Sequence, residues 1–197
     1  MLFKRIISAI SACAVCLSFL LVNTEAAAQG TAIRTASQLM NLKSNGNYYL
    51  ACDIDLSNVK WRSIQGFSGH FNGNGYEIIG LTSETYGLFS TLKSGAVVEN
   101  VKLTDTYITS KYQTIGAIVS IIQSSEKNVN VKDCFVSGLV SSCRTKYKQN
   151  TQNSIAGAIV GKNNSSSSVI SNCYSKIIPG SVYRTAGNFC VKIKKIS

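Results

Sequence analysis

Asp53 and Asp55 stand two residues apart in Tyr49-Leu50-Ala51-Cys52-Asp53-Ile54-Asp55-Leu56. In extended chain this spacing puts both carboxylates on one face, with Cα atoms about 6.6 Å apart. Paired carboxylates near that separation can share acid and base work on a glycosidic bond. The opposing reading is a pair of solvated acids, or acids bonded to backbone at a corner of the chain. Little else supports catalysis. The single histidine, His70, leaves little room for a Ser-His-Asp triad. Neither H-E-x-x-H nor G-x-S-x-G occurs. Phe71-Asn72-Gly73-Asn74-Gly75 contains G-x-G, but Tyr76-Glu77-Ile78 after it reads as a strand. A phosphate-cradling loop needs helix amides behind it. The segment is expected to be a tight turn, because Asn-Gly adopts positive φ cheaply. Trp61, Tyr147, Tyr174 and Tyr183 have faces that can stack on sugars, and no spacing distinguishes any of them from a packing residue.

Seven cysteines are present, five of them after residue 28: Cys52, Cys134, Cys143, Cys173 and Cys190. Five is odd, so at least one thiol is free or pairs between chains. No C-x-x-C pair lies in that part of the chain. Together with the lone histidine, this argues against zinc and haem sites of the usual kind. Neither a metal nor an organic cofactor is expected, and no catalytic residue is assigned.

The balance of charge points to a different chemistry. The chain has 20 basic and 9 acidic residues, a formal net charge of +11. Asp133 is the last acidic residue. Arg144, Lys146, Lys148, Lys162, Lys176, Arg184, Lys192, Lys194 and Lys195 follow it. Such a field attracts polyanions, or else it simply keeps a repetitive β-protein soluble. Arg144, Lys146, Lys148, Lys162 and Lys176 lie in or beside the loops and strand of one segment. They form the candidate binding patch, and anionic glycans or cell-envelope components are its expected partners. Nucleic acid is not expected, because the N-terminus reads as an export signal.

Lys4 and Arg5 precede an apolar run from Ile6 to Val22, and Ala26-Ala27-Ala28 offers an A-x-A cleavage site. Residues 1–28 are therefore expected to be a cleaved signal peptide, with Gln29 as the new N-terminus. The run is slightly short for a membrane anchor of about 20 residues, and small residues follow it at once. No transmembrane span is expected after cleavage, and the protein is expected to be secreted or at the cell surface. The 169 residues that remain suit one domain.

The elements that must position these groups are short strands. Val, Ile, Thr and Tyr runs alternate with Ser, Asn and Gly clusters, and Pro179 is the one proline. Tyr49–Leu56 alternates as a half-buried strand, with Leu50, Cys52, Ile54 and Leu56 on the inner face. Thr35–Leu42 is the one helical candidate, with Thr35 or Ser37 as its cap. Internal repetition decides the architecture. Tyr86-Gly87-Leu88-Phe89, Ile115-Gly116-Ala117-Ile118-Val119 and Ala156-Gly157-Ala158-Ile159-Val160-Gly161 each precede a polar stretch and a second strand. The second strands align Val98, Val131 and Ile170, spaced by 33 and 39 residues. Asn100, Asp133 and Asn172 align next, then Val101, Cys134 and Cys173, then Leu103, Val136 and Ser175. One such unit cannot bury its apolar face, but stacked units can. The Asn/Asp position is then a corner, where its side chain bonds backbone. Cys134 and Cys173 are expected to be buried, close and unbridged, because parallel side chains fit the disulfide dihedral poorly. The expected fold is all-β: a right-handed parallel β-helix (β-solenoid) with a short N-terminal capping helix. An antiparallel sandwich would have no need of matched residues at matched positions.

Gly-Ala-Ile-Val-(Gly/Ser), a polar loop and (Asn/Asp)-Cys resemble the GLUG repeat of bacterial surface proteins. The expected copies are residues 85–110, 114–140 and 155–178. Upstream, Gly46-Asn47-Tyr48-Tyr49-Leu50-Ala51-Cys52-Asp53-Ile54-Asp55-Leu56, Trp61 and Phe67-Ser68-Gly69-His70-Phe71-Asn72-Gly73 resemble the module that precedes such repeats. Similar stretches occur in filamentous adhesins and in the non-catalytic N-terminal regions of IgA-cleaving metallopeptidases. Asn72 replaces a frequent Asp, Cys52 an Asn and Ser120 a Gly, which argues against an acidic metal site at the Asn72 turn. The resemblance implies a non-enzymatic secreted or surface protein that binds glycans or the cell envelope. The alternative is a small carbohydrate-active enzyme, a lyase or hydrolase, on the same scaffold.

Overall fold

Two-residue periodicity interrupted by Asn, Asp and Gly produces short strands joined at corners. A computed structural model describes residues 30–110, 114–124, 126–142 and 155–177. The chain divides into two units, Met1–Gly30 and Thr31–Ser197. Only Gly30 of the first is described, so the expected signal peptide lies outside the described residues.

The second unit opens with β1 (Thr31–Ile33) and the helix α1 (Ala36–Met40). Thr35 caps α1, its Oγ1 accepting from the Gln38 N–H at 3.2 Å, while Gln38 Oε1 accepts from the Arg34 N–H at 2.8 Å. One bond satisfies a first-turn donor and the other ties the helix back to the residue before its cap, which starts even a five-residue helix, and Leu39 is wholly buried. The strands that follow are β2 (Asn47–Leu50), β3 (Ile54–Asp55), β4 (His70–Asn72), β5 (Glu77–Ile79), β6 (Thr82–Ser83), β7 (Phe89–Leu92), β8 (Val97–Glu99), β9 (Lys102–Ser110), β10 (Thr114–Gly116) and β11 (Val119–Ile122). Beyond them come β12 (Asn130–Lys132), β13 (Phe135–Ser142), β14 (Ile155–Gly157), β15 (Val160–Asn163), β16 (Val169–Ser171) and β17 (Tyr174–Ile177).

Among the described residues every strand pairing is parallel. The first sheet runs β1-β2-β4-β8-β12-β16 and the second β3-β5-β9-β13-β17, with β6 also on β9. A third sheet runs β7-β11-β15, and β10 pairs with β14. Each repeat thus adds one strand to the edge of each sheet, in sequence order.

The register matches the alignment of repeats. Val131 pairs with Val98 on one side and Ile170 on the other, and Phe71 and Tyr48 extend the column. Val136 likewise joins Leu103 and Ser175. Phe71, Val98, Val101, Leu103, Val131 and Val136 have no exposed surface, and each such side chain contributes about 1.5–3 kcal/mol by leaving water. Ile170 and Cys173 pack on the same core but are only half-buried, because β16 lies at a sheet edge and the chain leads from it into edge strand β17.

The corners also follow the alignment. Asn100, Asp133 and Asn172 have φ of 54°, 54° and 51°. Such left-handed backbone is tolerated by Asn and Asp better than by other side chains. Asn172 Nδ2 donates to Asp133 Oδ1 at 3.1 Å, and Asn100 Nδ2 donates to Asn72 Oδ1 at 3.1 Å. The repeat glycines have a steric cause. A Cβ at Gly116 would lie 2.2 Å from the Val119 carbonyl oxygen, and one at Gly157 would lie 2.0 Å from that of Val160. Ser120, which aligns with Gly161 of the next copy, is buried with its Oγ accepting from the Gly116 N–H at 3.4 Å.

Tyr49–Leu56 departs from expectation. It is not one strand but β2 and β3, in different sheets, separated by a bend at Ala51–Asp53. Leu50, Ile54 and Leu56 all point inward, as the alternation requires. The expected turn at Asn74-Gly75 is present, with φ of 51° and 82° and the Tyr76 N–H bonded to the Gly73 carbonyl at 2.9 Å.

Candidate functional site

The acid pair is occupied by backbone. Asp53 Oδ1 accepts from the Glu77 N–H at 2.8 Å and so ties one repeat to the next. Asp55 Oδ1 accepts from the Ser57 N–H at 2.8 Å, and the Ser57 hydroxyl, with this N–H second, lowers the Asp55 pKa. Both side chains are exposed, and each has one carboxylate oxygen held by a backbone N–H. Among the described residues, no cluster of three or more His, Cys, Asp or Glu side chains is arranged to hold a metal ion.

A polar network lies on the outer face of the first sheet. Glu99 sits on β8 between Asn72 of β4 and Lys132 of β12. Its Oε1 meets His70 Nε2 at 2.8 Å and accepts from Asn72 Nδ2 at 3.0 Å, while Oε2 meets Lys132 Nζ at 2.8 Å. Burial opposes ionisation of Glu99, but hydrogen bonds from Lys132 and His70 outweigh it and lower the pKa. The same bond raises the Lys132 pKa. With partners on β4 and β12, the Glu99 carboxylate fastens neighbouring repeats together. A cleft of about 280 Å³, lined by Met40, Leu42, Arg62, Ser63, Ile64 and Gln65, contains no carboxylate or imidazole.

The thiols sit where the alignment puts them. Cys134 and Cys173 are free, and Cys134 is 1% exposed. Cys134 Sγ donates to the Lys132 carbonyl at 3.1 Å and Cys173 Sγ to the Ser171 carbonyl at 3.2 Å; interaction between the two neighbouring thiols pushes Cys134 up, with burial adding to it, and holds Cys173 below the usual thiol range. Cys52 is also free, with its Sγ 3.4 Å from the Arg34 carbonyl oxygen.

Of the candidate cationic patch, Arg144, Lys146 and Lys148 lie outside the described residues. Lys162 is exposed on β15 of the third sheet and Lys176 is exposed on β17 of the second. Trp61, one of the possible stacking residues, is a packing residue: it is 8% exposed and donates from Nε1 to the Gly87 carbonyl at 3.1 Å. Tyr147 and Tyr183 lie outside the described residues.

Tyr174 is different. Among the described residues the exposed aromatic side chains are Tyr76, Tyr107 and Tyr174, at 37%, 52% and 70%, and all three belong to the second sheet or its entry. Tyr174 pairs with Phe135, which pairs with Lys102, which pairs with Glu77; Tyr76 immediately precedes Glu77. Tyr107 pairs with Leu139. Tyr107 reaches the surface because of a bulge. Leu103 is buried, so strict alternation would also turn residue 107 inward. Val136 pairs with Leu103, yet Gly138 pairs with Thr106, so Thr104 and Asp105 together oppose Ser137. Asp105 takes φ 51° at the bulge, and beyond it Thr106 and Ile108 are buried while Tyr107 faces out. Gly138 makes the bulge possible: its φ is 122°, and a Cβ there would lie 2.1 Å from the Thr106 carbonyl oxygen.

No protein-family model matches the chain. It is 35% identical over 96 residues to a "Putative Gly-rich membrane protein" of Evansella cellulosilytica, covering 39% of this chain and 11% of that protein. Its fold is similar to the crystal structure of "a putative immunoglobulin A1 protease from Bacteroides ovatus", with a TM-score of 0.52 and 21% identity over 75% of this chain. This chain spans 58% of that structure. Among the described residues no helix is long and apolar enough to cross a membrane.

Proposed function

We propose that the chain is a secreted or cell-surface, non-enzymatic right-handed parallel β-helix of GLUG-like repeats. In this reading residues 1–28 direct its export, and its cationic C-terminal third holds acidic glycans or other anionic cell-envelope components. The observation that carries the binding claim is the state of the charges. Described carboxylates such as Glu77 and Glu99 are matched by Lys102, His70 and Lys132. After Asp133 every charged residue is basic, and exposed Lys162 and Lys176 have no carboxylate partner among the described residues. Uncompensated cations draw polyanions without strong selectivity. The non-enzymatic part of the reading is supported by the engagement of Asp53, Asp55 and Glu99 in structural hydrogen bonds.

The test is retention of the exported protein on heparin-type and neutral resins. Binding should fade between 50 and 300 mM salt, as the Debye length falls from about 14 Å to under about 6 Å. A variant with Arg144, Lys146, Lys148, Lys162 and Lys176 changed to Gln should elute earlier. Equal retention of both proteins would remove the patch from the account.

A further inference from the structure

The outer face of the second sheet has a composition that the cationic third does not explain. It presents Tyr174 and Phe135 side by side on neighbouring strands, and Tyr107 beside Leu139 further along them. Its charges nearly cancel. Lys102 is bound to Glu77, whose pKa that bond lowers with help from Thr104, while Asp105, Lys176 and, on β3, Asp55 are the other charged groups on the strands of this sheet. The face is therefore aromatic and close to neutral, and polyanion attraction gives no reason for it.

We propose that this face is a binding platform for an extended, uncharged, β-linked oligosaccharide, laid obliquely across β9, β13 and β17. An equatorially linked sugar ring presents a flat array of C–H bonds, and a tyrosine face offers the matching π surface while its hydroxyl stays wet. Tyr107 and Tyr174 are separated by four residues along the strand and two strand spacings, about 16 Å on standard sheet dimensions. A chain of several sugars spans that distance and a disaccharide does not. Phe135 lies beside Tyr174 and Leu139 beside Tyr107, with Ser137 between them on β13, and parallel strands hold all of these without rearrangement. The proposal rests on the glycan-binding reading above, but names a second surface with a different chemistry. It predicts binding that salt leaves unchanged, whereas the cationic patch releases its ligand as salt rises.

The experiment is calorimetric titration of the whole exported chain with cellohexaose and chitohexaose, each against its disaccharide, at 50 and 300 mM salt. At least one hexasaccharide should bind with the same affinity at both salts and far more tightly than its disaccharide, because it engages both tyrosines at once. Tyr107→Ala combined with Tyr174→Ala should weaken binding about tenfold or more, while the matching Phe pair keeps it. Circular dichroism and melting of both variants separate lost binding from lost folding. Absence of a response to either hexasaccharide overturns the proposal, as does full affinity in the Ala pair. Retention on heparin-type resin would survive either result, so failure here is distinct from failure of the cationic patch. Binding of oligothymidylate in a Tyr107- and Tyr174-dependent manner would also overturn it, marking the face as a nucleic-acid stacking platform.

Discussion

Asn100 is the position at which the corner argument is most exposed to measurement. It takes φ 54°, its N–H bonds the Lys132 carbonyl at 3.1 Å, and its Nδ2 donates to Asn72 Oδ1 at 3.1 Å. Asn100→Ala keeps the backbone bond but puts an ordinary Cβ into left-handed geometry, costing about 1–2 kcal/mol. It also removes an exposed side-chain bond, worth about 0.5 kcal/mol at the low end. Asn72 Oδ1 still accepts from the Asn74 N–H at 2.7 Å, so it is not left unsatisfied. The sum for Ala is about 2 kcal/mol. Asn100→Gly removes the same bond but has no left-handed penalty, adding instead about 0.5 kcal/mol of unfolded-state entropy, for a total of about 1 kcal/mol. Urea unfolding should show both changes at unchanged m-value. Thermal melts should place Ala about 4–8 °C below wild type, with Gly between the two. If Ala proves no worse than Gly, the left-handed corner is not what Asn100 supplies, and the same reasoning for Asp133 and Asn172 falls with it.

Val131→Asp should abolish the cooperative melt or lower stability by about 3–5 kcal/mol, since an unpaired carboxylate would enter a column with no exposed surface; a near-normal melt would show that this column is not a dry core. In the native protein Cys173 should react with a thiol-alkylating reagent faster than Cys134, being both less buried and the more acidic of the two; a Cys134–Cys173 bridge found by non-reducing peptide mapping would refute the stacking of free thiols. Glu99 has a folded pKa below its ordinary 4.5, so its contribution to stability is present above that value and is lost as pH falls below it. Melts of wild type and Glu99→Gln compared from pH 7 to 3 should converge at the acid end, and a gap independent of pH would exclude ionisation as the source.

The inward columns were readable from the sequence because repetition and burial constrain the same residues. Val98, Val131 and Ile170 must match if stacked units share one core, and their strands pair in that register. The bend at Ala51–Asp53 was hidden for the same reason: inward positions 50, 54 and 56 keep a period of two through the corner, so alternation alone cannot reveal the change of sheet. The His70–Glu99–Lys132 network was missed although its signal was present. Glu99 and Lys132 directly follow aligned Val98 and Val131, and extending the alignment one residue outward brings them together. The same extension past Cys134 and Cys173 finds the Phe135–Tyr174 pair. Tyr107 was not recoverable in this way. Its orientation depends on the bulge at Asp105 and on Gly138 opposite, a backbone choice that reverses every side chain after it.

The most direct test of the proposed function is a hydrogen-exchange footprint of the exported chain with a heparin-type polysaccharide at 50 mM salt. The account predicts slowed exchange in peptides after Asp133, including those carrying Lys162 and Lys176, with no protection around Asp53, Asp55 or the Glu99 network, and loss of the footprint at 300 mM. Protection centred on those acidic residues, or none after Asp133, would contradict it.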